Sequence, residues 1–232
     1  MDSYNLSYIG DAIYLFNKQE TMGLNIVLKY FSDFSDIQLE RLEKLDGLYR
    51  DWNSKINVIS RKDIDNLYVR HVLHSLSIAA FTSFSKGSRI LDLGTGGGFP
   101  GIPLAIFYPD VDFYLIDGTK KKIMVVEEIS AALGLTNIQA RQIRAEEVKE
   151  RYDFVVSRAV APLDQLVLWS RRLISGTDKN AIPNGLIALK GGAVDKEIKA
   201  LPRGSYVEKE SIRQFFPEPD FQDKYLIYTP LD

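Results

Sequence analysis

The feature that most constrains this chain is a run of glycines set directly after a buried strand. Arg89-Ile90-Leu91-Asp92-Leu93 is a short apolar stretch, and it runs into Gly94-Thr95-Gly96-Gly97-Gly98-Phe99-Pro100-Gly101. Each such glycine costs up to about 1 kcal/mol of stability relative to alanine, so a cluster of them marks a backbone that must turn sharply and lie close to something. A strand, a glycine turn and a helix in that order open a sheet whose ligands sit at the carboxyl ends of its strands.

The rest of the chain has the same texture. Strands are expected at 89–93, 112–116, 138–143, 153–157, 185–190, 205–209 and 224–229, with helices at 99–107, 120–133 (closed by Gly134) and 163–174 between them. Strands alternating with helices predict an α/β, Rossmann-like fold with a mostly parallel seven-stranded sheet, and the last two strands predict an antiparallel edge hairpin. Before residue 86 the pattern is helical. Leu42, Leu45, Tyr49 and Trp52 form one apolar stripe over 37–52, Ile56 to Ser60 reads as extended, and a third helical pattern runs from about 63 to 84. Three parts follow: an extension at 1–21 that the fold does not need (one further helix is the alternative), a helical cap at 22–85, and a Rossmann-like domain at 86–232.

Composition removes several chemistries. The chain has 232 residues, no cysteine and two histidines, His71 and His74, so disulfides, thiolate metal sites and a cysteine nucleophile are excluded and no metal is expected. The net charge of −2 describes no generic polyanion binder. Without an apolar run of about 18 residues or a basic leader, the chain reads as cytoplasmic with no membrane role.

The strand ends carry the candidate site. Gly96-x-Gly98-x-x-Gly101 matches the dinucleotide fingerprint, and Asp117 at the second strand end suits a ribose diol of either a nicotinamide cofactor or S-adenosylmethionine. Asp92 stands two residues ahead of the loop, where methyltransferases place an acid, and Phe99-Pro100 crowds the helix start that a pyrophosphate needs bare. Both favour S-adenosylmethionine; a nicotinamide-dependent oxidoreductase remains the alternative. Ala145-Glu146, after the third strand, stand where an adenine is held, although Glu146 and Glu147 also suit a helix start. The fourth strand ends Ser157-Arg158-Ala159-Val160-Ala161-Pro162, without the Asn/Asp-Pro-Pro-aromatic run that holds an exocyclic amine. With no cysteine either, what remains is an acceptor needing little activation, of which guanine N7 is one. Arg158 is a candidate clamp for a carboxylate, and Lys190 for an RNA phosphate or as a cap on the sheet. Lys120 to Lys122 read as a solvated run or a phosphate contact, and His71 and His74 as structural histidines.

At this point the chain resembles the glucose-inhibited division protein B family from about Met22 onward. The motifs that carry the resemblance are Asp51-Trp52-Asn53 with Asn57 and Ser60; His71 with Ser75-Leu76; Leu91 to Pro103; Lys120 to Lys122; Arg158 to Ala161; and Leu189-Lys190-Gly191, with Gly98 to Pro103 the most specific. His74 departs from the pattern, which commonly has Asp there. The resemblance implies an S-adenosylmethionine-dependent methyltransferase acting on guanine N7 in 16S rRNA of the small ribosomal subunit, releasing S-adenosylhomocysteine, with no obligate protein partner; another RNA is the alternative acceptor. It implies cofactor contacts at Gly94, Gly96, Gly98, Phe99, Asp117, Gly118, Thr119, Ala145, Glu146 and Arg158, and an acceptor pocket shaped by Arg158, Asn53, His71 and Lys190.

Overall fold

A computed structural model describes residues 23–231, so the expectation for residues 1–21 lies outside the described residues. After a helical turn at 23–28 (α1), Asp36–Lys55 forms the amphipathic helix α2. Ser35 and Gln38 make a capping box at its start, satisfying amide hydrogens that have no partner inside the helix. Leu42, Leu45 and Tyr49 are its buried stripe, as the spacing predicts.

The next helical pattern is not one helix. Ile64–Asn66 is a 3₁₀ turn, Tyr68–Leu73 a π-helical segment, and only His74–Phe81 (α3) is α-helical. The wider π turn carries an extra residue, and Tyr68, Val72, Leu73 and Leu76 reach the core from this run. Residues 56–60 form no strand; Asn53 Oδ1 accepts the backbone N–H groups of Val58 and Ile59 at 2.9 Å each and holds them as a loop.

The sheet strands are β1 (Arg89–Leu93), β2 (Asp112–Asp117), β3 (Ile138–Gln142), β4 (Phe154–Arg158), β5 (Gly185–Gly191), β6 (Glu208–Ser211) and β7 (Lys224–Pro230). Their order is β3-β2-β1-β4-β5-β7-β6, parallel from β3 to β5, with β7 antiparallel to β5 and β6 antiparallel to β7. The expected seven-stranded sheet with an antiparallel edge hairpin is therefore observed. The edge strand begins three residues later than its sequence reads, because pairing starts at Glu208 opposite Tyr228 while Ser205 is held in a turn on Pro202. The connecting helices are α4 (Gly101–Phe107), α5 (Lys120–Ala132), α6 (Leu163–Arg171) and α7 (Val194–Lys199). α4 starts two residues after the expected Phe99, since the amides of Gly98 and Phe99 both donate to Thr95 O in a turn.

One apolar cluster joins the helical segment to one face of the sheet: Leu42, Tyr49, Tyr68 and Leu76 belong with Ile90, Phe113 and Phe154. A second cluster, with Leu91, Val155 and Leu186, lies on the opposite face under α6 and α7. The strand ends β1, β4 and β5 meet where the order turns from β1 to β4, the switch point at which open sheets bind ligands.

Candidate functional site

The glycine loop is built on Asp92. This buried carboxylate accepts the Thr95 hydroxyl at 2.7 Å and the Gly101 N–H at 2.9 Å through one oxygen, while its other oxygen has no partner among the described residues. Burial raises its pKa to about 7; the two hydrogen bonds and nearby Arg158 act against that shift. Gly94 has φ +74°, and a β-carbon there would lie 2.5 Å from Val160, so only glycine lets the backbone turn under that side chain. Asp117, at the end of β2, accepts the Gly96 N–H at 3.2 Å and the Thr119 N–H at 2.8 Å, which ties the loop to the neighbouring strand.

Two cavities lie beside the turn Arg158-Ala159-Val160, where Ala159 takes the uncommon φ of +54°. One, of about 220 Å³, is walled by Gly94, Asp117, Gly118, Ala145, Glu146 and Val160, with Trp169 closing it from α6. The other, of about 480 Å³, holds His71, His74, Arg158, Lys190, Phe221 and Lys224. Arg158 and Ala159 face the larger cavity and Val160 the smaller, so the turn separates them.

Phe99 organises the space between. Tyr49 stacks on its ring at 4.8 Å, the Arg158 guanidinium lies 5.0 Å from its centre, and His71 tilts against it at 5.0 Å. The Tyr49 hydroxyl donates to Gly97 O at 2.8 Å, and Val58 packs so close to Gly97 that a β-carbon there would lie 3.1 Å away. Arg158 donates to His71 Nδ1 at 3.0 Å and weakly to Arg70 O at 3.4 Å, neither of them a carboxylate. Desolvation pulls its pKa down to about 10, leaving it fully charged at neutral pH and suited to an incoming anion. Desolvation, helped by the Arg158 charge, lowers His71 to about 3, so its imidazole is neutral.

The structure thus brings together Gly94, Gly96, Gly98, Phe99, Asp117, Gly118, Ala145, Glu146, Arg158 and His71. Thr119 caps α5 and reaches the site through its backbone N–H to Asp117. Asn53 lies apart, holding the Val58 loop. Lys190 lines the larger cavity, but its ammonium is turned to Ala161 O at 2.7 Å and Glu197 at 2.6 Å. Of the lysine run, Lys122 lies 3.4 Å from Asp117. Sequence reasoning placed Tyr49 in the core stripe and missed its hydroxyl bond; a tyrosine within a buried stripe was the available signal, because its O–H needs a partner. Trp169, Phe221 and Lys224 carried no such signal.

The residues fit S-adenosylmethionine. The small cavity has a carboxylate at a strand end for a ribose, an apolar slot beside Ala145, a glycine cradle that a β-carbon would fill, and the uncommitted Arg158 beyond it for a carboxylate.

The family model described as GidB, rRNA small subunit methyltransferase G, matches residues 38–219. Relatives named ribosomal RNA small subunit methyltransferase G are 49% identical over 88% of this chain and 97% of theirs in Flavobacterium psychrophilum, and 51% identical over 90% and 92% in Bacteroides fragilis. Among solved structures, a mutant of MtNAS in complex with S-adenosylmethionine superposes with a TM-score of 0.55 at 13% identity, over 84% of this chain and 77% of that one. The precorrin-6y C5,15-methyltransferase of Geobacter metallireducens does so at 0.50 and 9%, over 76% and 92%; at these identities both speak for the fold alone. With its glycine loop, strand order and long sequence match in agreement, the chain belongs to the GidB family of S-adenosylmethionine-dependent methyltransferases.

Proposed function

We propose that this protein transfers a methyl group from S-adenosylmethionine to N7 of one guanosine in 16S rRNA of the small ribosomal subunit, in the cytoplasm. Family membership removes the nicotinamide alternative left open by the glycine spacing. The observation that carries the reading is Arg158, a charged guanidinium without a carboxylate partner among the described residues, set on Phe99 between a nucleoside-sized slot and a larger cavity. Gly94, Gly96, Gly98 and Phe99 would hold the methionine end of the cofactor, Asp117, Gly118 and Thr119 the ribose, and Ala145 and Glu146 the adenine. Bound there, the cofactor supplies a sulfonium methyl: the N7 lone pair forms the new C–N bond, the C–S pair returns to sulfur, and no proton has to leave.

The protein's part is positioning. Arg158 pairs with a carboxylate, and neutral His71 fixes the guanidinium by accepting one of its N–H groups. The turn at Ala159 and Val160 borders both cavities, so cofactor and acceptor would meet at its edge. No residue needs to act as a base. The test is transfer of tritium from labelled cofactor to small-subunit particles lacking the modification. Label on guanine N7 of 16S rRNA is expected; label on another base, another RNA or protein overturns the acceptor assignment.

A further inference from the structure

One wall of the smaller cavity is an indole. Trp169 lies on α6, at the margin of the stripe Leu163, Leu166, Val167 and Ser170 that this helix buries. It is half-buried, packs against the second apolar cluster and lines the cavity together with Ala145 and Glu146. Its ring makes no hydrogen bond and no aromatic contact with any described residue, although an indole gains from both. Three residues on, Arg172 stands at the C-cap of α6 and donates to two carbonyls of the turn after β3, Val148 O at 2.7 Å and Ala145 O. Positions three apart are neighbours on a helix, so Trp169 and Arg172 share one side of α6. The arginine thus fastens the Ala145 turn to the side of α6 that carries the indole. The slot they border is apolar at Ile143, Ala145 and Val160, while the Glu146 carboxylate has no partner among the described residues.

We propose that Trp169 is the surface on which the adenine of S-adenosylmethionine packs, and that Arg172 is a positioning residue that sets the width of the adenine slot. The inference rests on the adenine placement given above and deepens it. A purine face laid on an aromatic ring is favourable whatever the base, so the indole supplies affinity. Recognition of the base edge falls to the Ala145 turn, where a free carboxylate on Glu146 suits an exocyclic amino group, which only donates. The acceptor base does not compete for this wall, because the indole lines the smaller cavity and not the larger one that Arg158 faces. Wall and turn come from separate segments of the chain, and the two bonds of Arg172 join them directly.

The test is titration of the full chain with S-adenosylhomocysteine, read by calorimetry and by tryptophan fluorescence in a Trp52→Phe background, where Trp169 is the remaining tryptophan. The emission should change saturably with S-adenosylhomocysteine and with methylthioadenosine, which both carry adenine. Trp169→Leu should weaken S-adenosylhomocysteine binding about ten- to a hundredfold, and Trp169→Phe, which keeps a ring, by no more than about threefold. Arg172→Leu should raise the KM for S-adenosylmethionine about tenfold with kcat held within about twofold, a split that general loosening of the fold does not give. Arg172→Lys, which keeps a donor, should recover part of that loss. Emission that stays constant while calorimetry shows saturation overturns this inference and leaves the proposed function standing, and that comparison decides the matter even if Trp169→Leu does not fold. A folded Trp169→Leu protein with wild-type affinity also overturns it, and an unchanged KM in Arg172→Leu overturns the role of Arg172. No binding of S-adenosylhomocysteine overturns the proposed cofactor site, and this inference with it.

Discussion

Replacing Asp92 by asparagine should stabilise the protein in a pH-dependent way while weakening cofactor binding. Asp92 is fully buried under the glycine loop, and burial moves its pKa from 3.8 to about 7. A raised folded-state value means that the native protein holds its proton over a range where the unfolded chain has lost it. The stability attached to the protonated form is therefore fully present below pH 3.8 and is lost as pH rises through about 7. A displacement of about three pH units corresponds to about 4 kcal/mol, of which roughly 2–3 kcal/mol falls between pH 5 and 8. Asparagine presents the same acceptor to Thr95 and Gly101 without a charge, so it escapes that loss. At this chain length the variant's melting temperature should gain roughly 5–10 °C on wild type between pH 5 and pH 8. His71 and His74, both lowered by burial, make stability fall as pH drops below the ordinary histidine value, and they cancel in the wild-type-minus-variant difference. The assay is thermal unfolding of both proteins across that range, with calorimetric titration of S-adenosylmethionine alongside. A difference that stays flat from pH 5 to 8 would refute the argument that Asp92 carries a buried charge at neutral pH.

Arg158→Ala should reduce methyl transfer by at least about a hundredfold, and Arg158→Lys should not restore it, because an ammonium lacks the planar fork that both lies on Phe99 and meets His71; single-turnover rates decide this, and near-wild-type turnover by either variant removes Arg158 from the site. Tyr49→Phe leaves Gly97 O without its donor and should cost about 1–2 kcal/mol in denaturant unfolding, with weaker cofactor binding. Gly94→Ala places a β-carbon 2.5 Å from Val160 at a positive φ, so the folded variant should show no calorimetric heat with S-adenosylmethionine. Lys190→Met removes the ammonium from Glu197 and Ala161 O, leaving Glu197 only the Leu163 N–H, and should lower stability by about 1–2 kcal/mol; unchanged stability with a smaller salt dependence of RNA binding would instead return Lys190 to a phosphate contact.

What the sequence made legible was what depends on the backbone at one place in the chain. The glycine loop, Asp92 and Asp117 could be read because a strand followed by a sharp turn fixes where their α-carbons lie, whatever packs around them. Residues whose work depends on a distant partner could not be read in the same way. Lys190 stands at a strand end as expected, but its ammonium is directed by Glu197 on α7 and by Ala161, and neither neighbour can be placed from local pattern. Asn53 acts on amides five and six residues away, inside a loop whose apolar alternation read as extended. The π turn before α3 is invisible to a fixed helical period, yet it sets the facing of His71 and His74.

The same dependence explains why the helical segment and the sheet share one apolar cluster. A glycine loop has little side-chain bulk with which to hold its own shape, so its shape has to be imposed by neighbours. Tyr49 from α2 bonds Gly97 O, Val58 from the following loop presses on Gly97, and Phe99 is held between Tyr49 and Arg158, with His71 at its edge. The loop's own strand supplies only Asp92 to this arrangement. The helices before β1 therefore shape the proposed cofactor site as much as the glycines do. A chain that kept the sheet and lost Tyr49 and His71 would retain the glycine spacing while leaving Phe99 and Arg158 without the contacts that aim them.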